Sequence, residues 1–343
     1  MVKFESLKFG GGTNDGSFTK FKRLLDYLEN SMYVPFIIFS ALGKITSKLT
    51  DLYAMAMKSK PHERMGIVKA SLDLIAWHRE VLAGLISGVD PDKQAKAMKL
   101  CNTKAEEFEV LAKDILEKIF LYKDDYRSEL KAEFESLGER MNVSMVVIPA
   151  LEAFGYRPIH IPALKFARAI VGENSFVGAK VDRDNSLKEL EKLGKEEFEK
   201  IIPSLDGSRI VLVTEGFIAS ASDKRHRYTK SRTATFGYNG SDMSAMIVAE
   251  YTHAISKELN GGLEDGDFPF PTVTLMKEVV GDLIPSGTLD GLGGYLHRTG
   301  SGLVGRVAID YAKKSNIAIR IFDTITGELY LYTPKVMEVA QVS

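Results

Sequence analysis

Short apolar runs alternate with amphipathic segments along most of this chain. Residues 33–39 are apolar without interruption, which is typical of a strand buried on both faces of a sheet. Residues 17–31 place Phe18, Phe21 and Leu24 on one face of a helix. Strands that alternate with helices in this way form a mostly parallel sheet with helices on both faces. The sequence therefore predicts an α/β fold, a three-layer sandwich around a mostly parallel central sheet.

One long segment departs from the alternation. Residues 61–128 are rich in Ala, Leu, Lys and Glu and have helical periodicity, so we predict a helical insertion with helix starts at Pro61 and Pro91. Residues 260–300 are rich in Gly, Asp and Pro and give no clear assignment. Because the chain has no internal repeat and no low-complexity linker, we predict a single domain over residues 1–343. The remaining patterns predict strands at 2–9, 156–161, 175–181, 209–214 and 318–322, and helices at 46–56, 138–154, 186–201, 241–259 and 303–314.

Composition excludes several classes of function. The formal net charge is −1 over 343 residues, which argues against nucleic acid or an anionic membrane surface as the main partner. No apolar stretch approaches the ~18 residues of a membrane span, and the N-terminus lacks the layout of a signal peptide. The one cysteine, Cys101, excludes an intrachain disulfide and favours a reducing compartment, so we expect a cytoplasmic protein. The His residues lack metal-ligand spacing, so we expect no metal held by protein ligands.

A lysine and three glycines end the first predicted strand. The segment runs from Lys8 through Gly10, Gly11 and Gly12 to Thr13. Glycine lets the backbone approach an anion, and the N–H groups at a following helix start point towards it. The lysine adds a mobile positive charge for a transferring phosphoryl group. The order differs from the GxxxxGK[ST] loop, and a glycine triplet alone is more often a plain turn.

Further segments in a fixed order strengthen this interpretation. They are residues 40–46 (SALGKIT), 136–141 (SLGERM), 213–217 (VTEGF) and 232–242 (RTATFGYNGSD). With the opening KFGGGT they resemble the catalytic domain of aspartate kinases, within the amino acid kinase family. That family pattern runs KFGGTS, SAxGxxT, SxGER(M/L)S, TQGF and GRTTTLGRGGSD. The resemblance covers nearly the whole chain in register and implies the amino acid kinase fold.

The resemblance also implies an activity, which is phosphoryl transfer from ATP, with Mg²⁺, to the side-chain carboxylate of L-aspartate. Such a reaction depends on charge neutralisation and alignment. Lys8 would lie against the transferring group, and Asp242 would hold Lys8 in place. By analogy with related folds, we expect a homodimer. The implied nucleotide-side residues are Gly10, Gly11, Gly12, Ser241 and Arg306, and the implied residues for the amino acid substrate are Ser40, Thr46, Glu139 (on its α-ammonium group), Arg232 and Tyr238.

Four departures from the family pattern weaken the implied activity. The opening loop has an extra glycine within residues 10–12, and Tyr238 stands where the family has an arginine for the substrate α-carboxylate. The nucleotide segment of the type WTDVDGVxTADPR is not recognisable, and residues 259–269 occupy roughly its place. Gly302 stands where a lysine is expected to touch ATP phosphates, and Arg306 is the nearest cation.

Local sequence leaves simpler interpretations of the same residues open. Lys8 is also compatible with a surface lysine at a strand end. Ser40 and Thr46 are also compatible with ordinary helix caps. Glu139 and Asp242 are also compatible with first-turn acids that the helix dipole stabilises.

Three functions therefore remain open at this point. The leading one is an aspartate kinase-like enzyme. The second is a kinase for a related or modified carboxylate, for which Tyr238 is the motivation. The third is a non-catalytic regulatory or binding relative, which the losses at Tyr238 and Gly302 motivate. Family members usually continue into C-terminal ACT domains. We expect none here and no ACT-mediated feedback inhibition.

Overall fold

The protein is described by a computed structural model that covers residues 3–10, 15–122, 127–172, 175–201, 209–221, 233–237, 239–259, 270–279, 286–299, 301 and 303–334. The strands are β1 (Phe4–Phe9), β2 (Val34–Phe39), β3 (Arg157–His160), β4 (Arg168–Gly172), β5 (Ser175–Val181), β6 (Ile210–Glu215), β7 (Ile218–Ala221), β8 (Thr233–Thr235), β9 (Thr272–Lys277), β10 (Ser286–Thr288), β11 (Ala318–Asp323) and β12 (Leu329–Thr333). The helices are α1 (Phe18–Asn30), α2 (Ile45–Lys58), α3 (Arg64–Leu85), α4 (Pro91–Leu121), α5 (Arg127–Met141), α6 (Ile148–Ala153), α7 (Ala163–Phe166), α8 (Arg183–Ile201), α9 (Gly240–Leu259), α10 (Leu289–Thr299) and α11 (Arg306–Lys314).

Eight strands form one sheet in the order β10-β12-β11-β9-β1-β2-β6-β3. Every neighbouring pair in it is parallel except β11 and β12, which are antiparallel. The α/β fold with a mostly parallel central sheet is therefore confirmed. Parallel strands need helical crossovers that cover the sheet faces, so the central strands are buried on both sides.

Two hydrophobic cores lie on opposite faces of this sheet. Alternate residues of β2 enter different cores, with Phe36 and Ile38 in one and Ile37 and Phe39 in the other. Helix α9 packs on the first face, and α1 to α4 pack on the second. Helix α1 buries the predicted apolar face except Phe18, which is 46% exposed because it lies in the first turn of the helix.

Most described residues of the insertion predicted at 61–128 lie in the 3₁₀ turn Pro61–Glu63 and in helices α3 and α4, which pack against each other. Pro91 opens α4, where the Asp90 carboxylate accepts hydrogen bonds from the next backbone N–H groups at 3.0 and 3.4 Å. Pro61 opens a short 3₁₀ turn before α3. The insertion therefore widens the second core.

The structure differs from the sequence prediction first in α5. The helix expected to begin at Gly138 begins at Arg127, and Gly138 lies inside it. A Cβ atom there would lie 3.2 Å from Cγ2 of Ile45, in the first turn of α2, so the absent side chain lets α2 approach α5. The chain then widens into a π-helical turn over Asn142–Val147. Pro149 follows, and its missing N–H removes an α-helical hydrogen bond.

The second difference is a small closed sheet of β4, β5, β8 and β7, of which only β5 is predicted. Three of its strands have five residues or fewer, too short for an alternation signal. Residues 260–300, left unassigned, include β9, β10 and α10. Within the described ranges, no helix is long and apolar enough to cross a membrane.

Candidate functional site

A cavity of about 640 Å³ opens at the carboxyl ends of the parallel strands. Strands β1, β2 and β9 lie side by side, with Lys8 in register with Ile38 of β2 and Leu275 of β9. The side chains after these strands therefore meet at one edge of the sheet, where open α/β sheets bind their ligands. The start of α9 and one face of α5 complete the walls.

Two lysines share one carboxylate at this edge. The Nζ atom of Lys8 lies 3.2 Å from Oδ1 of Asp242, and the Nζ atom of Lys277 lies 3.3 Å from the same oxygen. All three side chains are buried, and both lysines line the cavity. With Asp242 ionised and both lysines protonated, the cluster carries one excess positive charge, which favours an anion in the cavity.

The pKa values of Asp242 and Lys277 are both lowered in this cluster, for different reasons. Burial alone raises the pKa of Asp242, but Lys277 and Lys8 outweigh it and hold that pKa below its ordinary value. Burial lowers the pKa of Lys277 to about 7, aided by the like charge of Lys8 and opposed by Asp242. The carboxylate therefore stays ionised, and Lys277 is the group that exchanges a proton near neutral pH.

Backbone geometry fixes the carboxylate of Asp242. Its Oδ2 atom accepts a hydrogen bond from the backbone N–H of Gly305 at 3.2 Å. The backbone N–H of Asp242 itself donates to the carbonyl of Asn239 at 3.0 Å, at a turn where Asn239 has φ of 61°. Asp242 and Ser241 lie in the first turn of α9, where the helix dipole favours negative charge.

A second polar group, the carboxyl of Glu139, enters the same cavity from α5. Its Oε1 atom accepts from the backbone N–H of Ala41 at 3.4 Å and from the hydroxyl of Thr46 at 3.3 Å. Its Oε2 atom is buried and has no hydrogen-bond partner among the described residues. Burial raises the pKa of Glu139 to about 8, and the nearby charge of Glu135 adds to the rise. A buried carboxyl with an unused oxygen suits a cationic ligand group, because such a group satisfies the oxygen and stabilises the ionised form.

Two glycines allow close approach of the chain at the cavity. A Cβ atom at Gly10 would lie 2.2 Å from the hydroxyl oxygen of Ser40. A Cβ atom at Gly216 would lie 2.5 Å from the Cβ atom of Ser241. Glycine is therefore required at both positions if Ser40 and Ser241 are to keep their places in the cavity wall.

Most of the residues singled out from the sequence are brought together here. The cavity is lined by Lys8, Ser40, Thr46, Glu139 and Ser241. Asp242 contacts Lys8, and Gly10 adjoins Ser40. Arg306 instead lines a neighbouring cavity of about 480 Å³ that shares Asn239 and Ser301 with the first. Gly11, Gly12, Arg232 and Tyr238 lie outside the described residues, as do Gly302 and residues 260–269.

The structure tests the simpler interpretations of Lys8, Ser40, Thr46, Glu139 and Asp242. Lys8 is 3% exposed, so it is not a surface lysine. Helix α2 begins at Ile45 with Lys44 as its N-cap, so neither Ser40 nor Thr46 caps it. Glu139 lies near the end of α5, so it is not a first-turn acid. Asp242 is a first-turn acid and also the partner of two buried lysines.

The sequence analysis missed Lys277, and also Thr50, Lys131 and Glu135 on the cavity wall. Thr50 donates to Glu135 at 2.6 Å, and Lys131 lies 3.7 Å from the same carboxylate. A signal for Lys277 is present in the sequence, because residues 272–277 read TVTLMK, a largely apolar strand with lysine as its last residue. Strand β1 likewise has a lysine, Lys8, as its second-last residue. The surrounding Gly, Asp and Pro residues obscured the signal for Lys277.

Metal binding by side chains alone finds no support within the ranges that the structure describes. No group of three or more His, Cys, Asp or Glu side chains there is arranged to hold an ion. Mg²⁺ commonly keeps several waters and binds through substrate phosphates with one or two carboxylates. An ion that arrives with phosphate groups therefore needs no such cluster of protein side chains.

Comparison with known proteins identifies the fold. Escherichia coli aspartokinase III in complex with aspartate and ADP superposes with a TM-score of 0.68 and 20% identity. The same enzyme in complex with lysine and aspartate gives 0.70 and 18%. Each match covers 98% of this chain and 66% of the other, so the chain spans about two thirds of that enzyme's length. Clostridium acetobutylicum aspartate kinase gives 0.56 and 18%, over 97% of this chain and 63% of the other.

Sequence comparison alone finds no relative. No protein-family model matches the chain, and no curated protein matches it. The structural matches therefore establish that this chain has the fold of the aspartate kinase catalytic domain, as its sequence motifs predict.

Proposed function

We propose that this protein is a kinase that transfers the γ-phosphoryl group of ATP to the side-chain carboxylate of an amino acid, with L-aspartate as the leading acceptor. The observation that carries the proposal is the pairing of two opposite sites in one cavity. The lysine pair on Asp242 forms an anion site, and the unused oxygen of Glu139 forms a cation site. An amino acid phosphorylated on a carboxylate presents both kinds of group at once.

The anion site suits phosphoryl transfer. In the reaction, a carboxylate oxygen of the acceptor forms a bond to the γ-phosphorus while the bond to the ADP oxygen breaks, and ADP leaves. Lys8 and Lys277 neutralise the charge on the oxygens of the transferring group, and Asp242 fixes the two lysines. Lys277 provides the second cation that the chain lacks at Gly302.

The nucleotide has room beside this cluster. The cavity lined by Arg306 and Lys313 shares Asn239 and Ser301 with the lining of the main cavity. We place the ADP portion there, with Arg306 and the N–H groups at the start of α9 as candidate phosphate contacts. Mg²⁺, bound to the phosphates, would withdraw charge from the bond that breaks.

The position of Glu139 favours an acceptor that carries an ammonium group. The carboxylate of Glu139 would pair with the α-ammonium group, and Ser40 and Thr46 would contact the same substrate. L-Aspartate leads because the superposed E. coli structures are complexes with aspartate. A related or modified carboxylate is the second candidate, because Tyr238 replaces the arginine expected for the α-carboxylate.

The proposal is tested by ADP release from Mg-ATP with a panel of carboxylic amino acids, using the wild type, Lys8→Ala and Lys22→Ala. Lys22 is an exposed lysine on α1 that pairs with Asp26 and serves as a matched control. We expect acceptor-dependent ADP release from the wild type and Lys22→Ala and none from Lys8→Ala. Full activity of a folded Lys8→Ala protein would refute the mechanism. Tight ATP binding without turnover of any acceptor would favour the non-catalytic relative.

A further inference from the structure

A further cavity, of about 300 Å³, lies between the helical insertion and the edge strand of the main sheet. Helix α4, the segment from α5 to the π-helical turn, and the ends of β3 and β6 form its walls. None of its lining residues belongs to the lining of the 640 Å³ cavity. We call it the Arg140 pocket, and its polar and aromatic lining includes Lys104, Phe108, Arg140, Ser144, His160 and Glu215.

Most charges in the Arg140 pocket are paired. Lys104 lies 2.9 Å from Glu107. His160 lies 2.8 Å from Oε1 of Glu215, whose Oε2 accepts from the backbone N–H of Ala163 at 2.9 Å. Burial alone raises the pKa of Glu215, but His160 and that N–H hold it below its ordinary value, so this carboxylate is ionised and satisfied.

Arg140 is the exception in this pocket. Its guanidinium lies 5.8 Å from the centre of the Phe108 ring and makes no ion pair or hydrogen bond with any residue in the described ranges. A guanidinium in a half-buried site loses hydration, and a ring face replaces only part of it. The Ser144 hydroxyl, one turn further along, likewise has no hydrogen-bond partner among the described residues. The Arg140 guanidinium and the Ser144 hydroxyl therefore line the same pocket as two hydrogen-bond donors without acceptors among the described residues.

We propose that the Arg140 pocket binds a small molecule through an oxyanion group, a carboxylate or a phosphate. The planar fork of a guanidinium matches both groups with two parallel hydrogen bonds, and the Ser144 hydroxyl can donate a third. Burial lowers the pKa of Arg140, and the nearby carboxylates of Glu215 and Glu133 oppose that shift without forming an ion pair with the guanidinium. The fork of Arg140 is therefore left to hydrogen-bond one anionic group. The volume admits a ligand of metabolite size.

The pocket is connected to the candidate active site through the chain. Arg140 follows Glu139, the proposed ammonium partner, on the same helix. Glu215 precedes Gly216, which lies against Ser241. An anion that moves Arg140 or Glu215 would therefore act on both walls of the larger cavity. The binding proposal itself does not depend on the kinase proposal.

The test is calorimetric titration of the full chain with sodium phosphate and, separately, sodium succinate. Lys8→Ala protein is titrated alongside the wild type to remove the competing anion site at Lys8. Arg64→Gln is the matched control, because Arg64 lies 5.0 Å from the Phe120 ring in the same insertion, outside the pocket. Binding of one anion or the other identifies the ligand group as phosphate or carboxylate.

We expect saturable binding that persists in Lys8→Ala and Arg64→Gln and weakens at least tenfold in Arg140→Gln, about 1.4 kcal/mol. Arg140→Lys should bind with intermediate affinity because it keeps the charge and loses the fork. If Arg140→Gln does not fold, Ser144→Ala should still weaken binding severalfold. The proposal is overturned if neither anion binds the wild type saturably, or if binding is equal in the wild type and a folded Arg140→Gln protein.

Discussion

Lys277 contacts the same carboxylate oxygen of Asp242 as Lys8 does, at 3.3 and 3.2 Å. One buried carboxylate thus pairs with two buried lysines, and when both lysines are protonated it cannot balance both charges. The excess charge faces the cavity. Under the proposed function, Lys277 would supply the cation that is absent where the sequence has Gly302.

Replacing Lys277 tests its assigned role. Lys277→Met keeps the length of the side chain and removes the charge, so we expect kcat to fall by about 10²- to 10³-fold, as when one stabilising donor of a transition state is lost. The measurement is ADP release at saturating ATP and acceptor. Lys22→Met, at an exposed pair on α1, is the control and should keep wild-type kcat. A folded Lys277→Met protein with wild-type kcat contradicts the role.

Asp242→Asn should destabilise the protein strongly. The change leaves two buried lysines without their counter-charge, and breaking such a buried cluster lowers the free energy of unfolding by about 3–5 kcal/mol. Urea denaturation measures it, with Asp26→Asn at the exposed pair with Lys22 as control. An effect as small as that of the control would contradict the cluster geometry.

The loss in Asp242→Asn should shrink as pH rises. Without the carboxylate, the folded-state pKa of Lys277 should fall below the value of about 7 that it has in the wild type, so between these two pKa values the folded variant has lost a proton that the folded wild type and the unfolded chain still hold. Stability then rises with pH through that window. A pH-independent loss measured in the same urea experiments would be inconsistent with this explanation.

Glu139→Gln should make the protein more stable near neutral pH. The wild-type pKa is raised from 4.5 to about 8, so the folded state holds more protons between those values, and stability falls as pH rises through that window. Gln cannot ionise, so the variant should gain stability relative to the wild type between about pH 5 and pH 8. Thermal unfolding at several pH values measures this, with Glu109→Gln at the α3–α4 pair with Arg79 as control.

The same Glu139→Gln variant should bind its acceptor poorly. Loss of a charged partner for the ammonium group predicts a KM for the amino acid about 10- to 100-fold higher. The KM for ATP should change little, because Glu139 is assigned to the acceptor. A parallel rise in both KM values would show that the substitution disturbs the whole cavity.

Two glycine substitutions should act in opposite directions. In Gly10→Ala the new Cβ atom would lie 2.2 Å from the Ser40 hydroxyl, so Ser40 must move, and we expect a loss of about 1–3 kcal/mol in the free energy of unfolding together with lower activity. Gly66 lies exposed in α3, where a new Cβ atom would meet none of the described residues within 4 Å, so Gly66→Ala should add about 0.5–1 kcal/mol. Thermal unfolding of both variants checks the pair, and equal effects would contradict the close contact at Gly10.

The sequence was sufficient to predict the sheet and much of the cavity. The apolar run of β2 predicts a buried central strand. The motifs at Lys8, Ser40 and Asp242 lie at strand ends or at a helix start, so the topology of a parallel sheet brings them to one edge. Glu139 was found through its motif, although its helix was predicted to begin eleven residues later than Arg127. Local patterns mistook Gly138 for a helix start, because the contact with α2 that requires glycine there is a long-range one.

Long-range contacts also explain what the sequence did not reveal. Lys277 gains its importance from Asp242, which lies 35 residues earlier in the chain, and no local pattern encodes that ion pair. Glu215, which lines the same pocket as Arg140, pairs with His160 and with the backbone N–H of Ala163, and no local pattern encodes these long-range contacts. The short strands β4, β7 and β8 are stabilised by one another and have no periodicity of their own.

The most direct test of the account is trapping of an acyl phosphate with hydroxylamine, using Mg-ATP with L-aspartate or with succinate. The two acceptors carry the same carboxylates and differ in the ammonium group that Glu139 is proposed to bind. The account predicts hydroxamate from L-aspartate, or from another amino acid with a side-chain carboxylate, and little from succinate. Equal yields from L-aspartate and succinate, or no hydroxamate from any carboxylic amino acid while ATP binds, would contradict it.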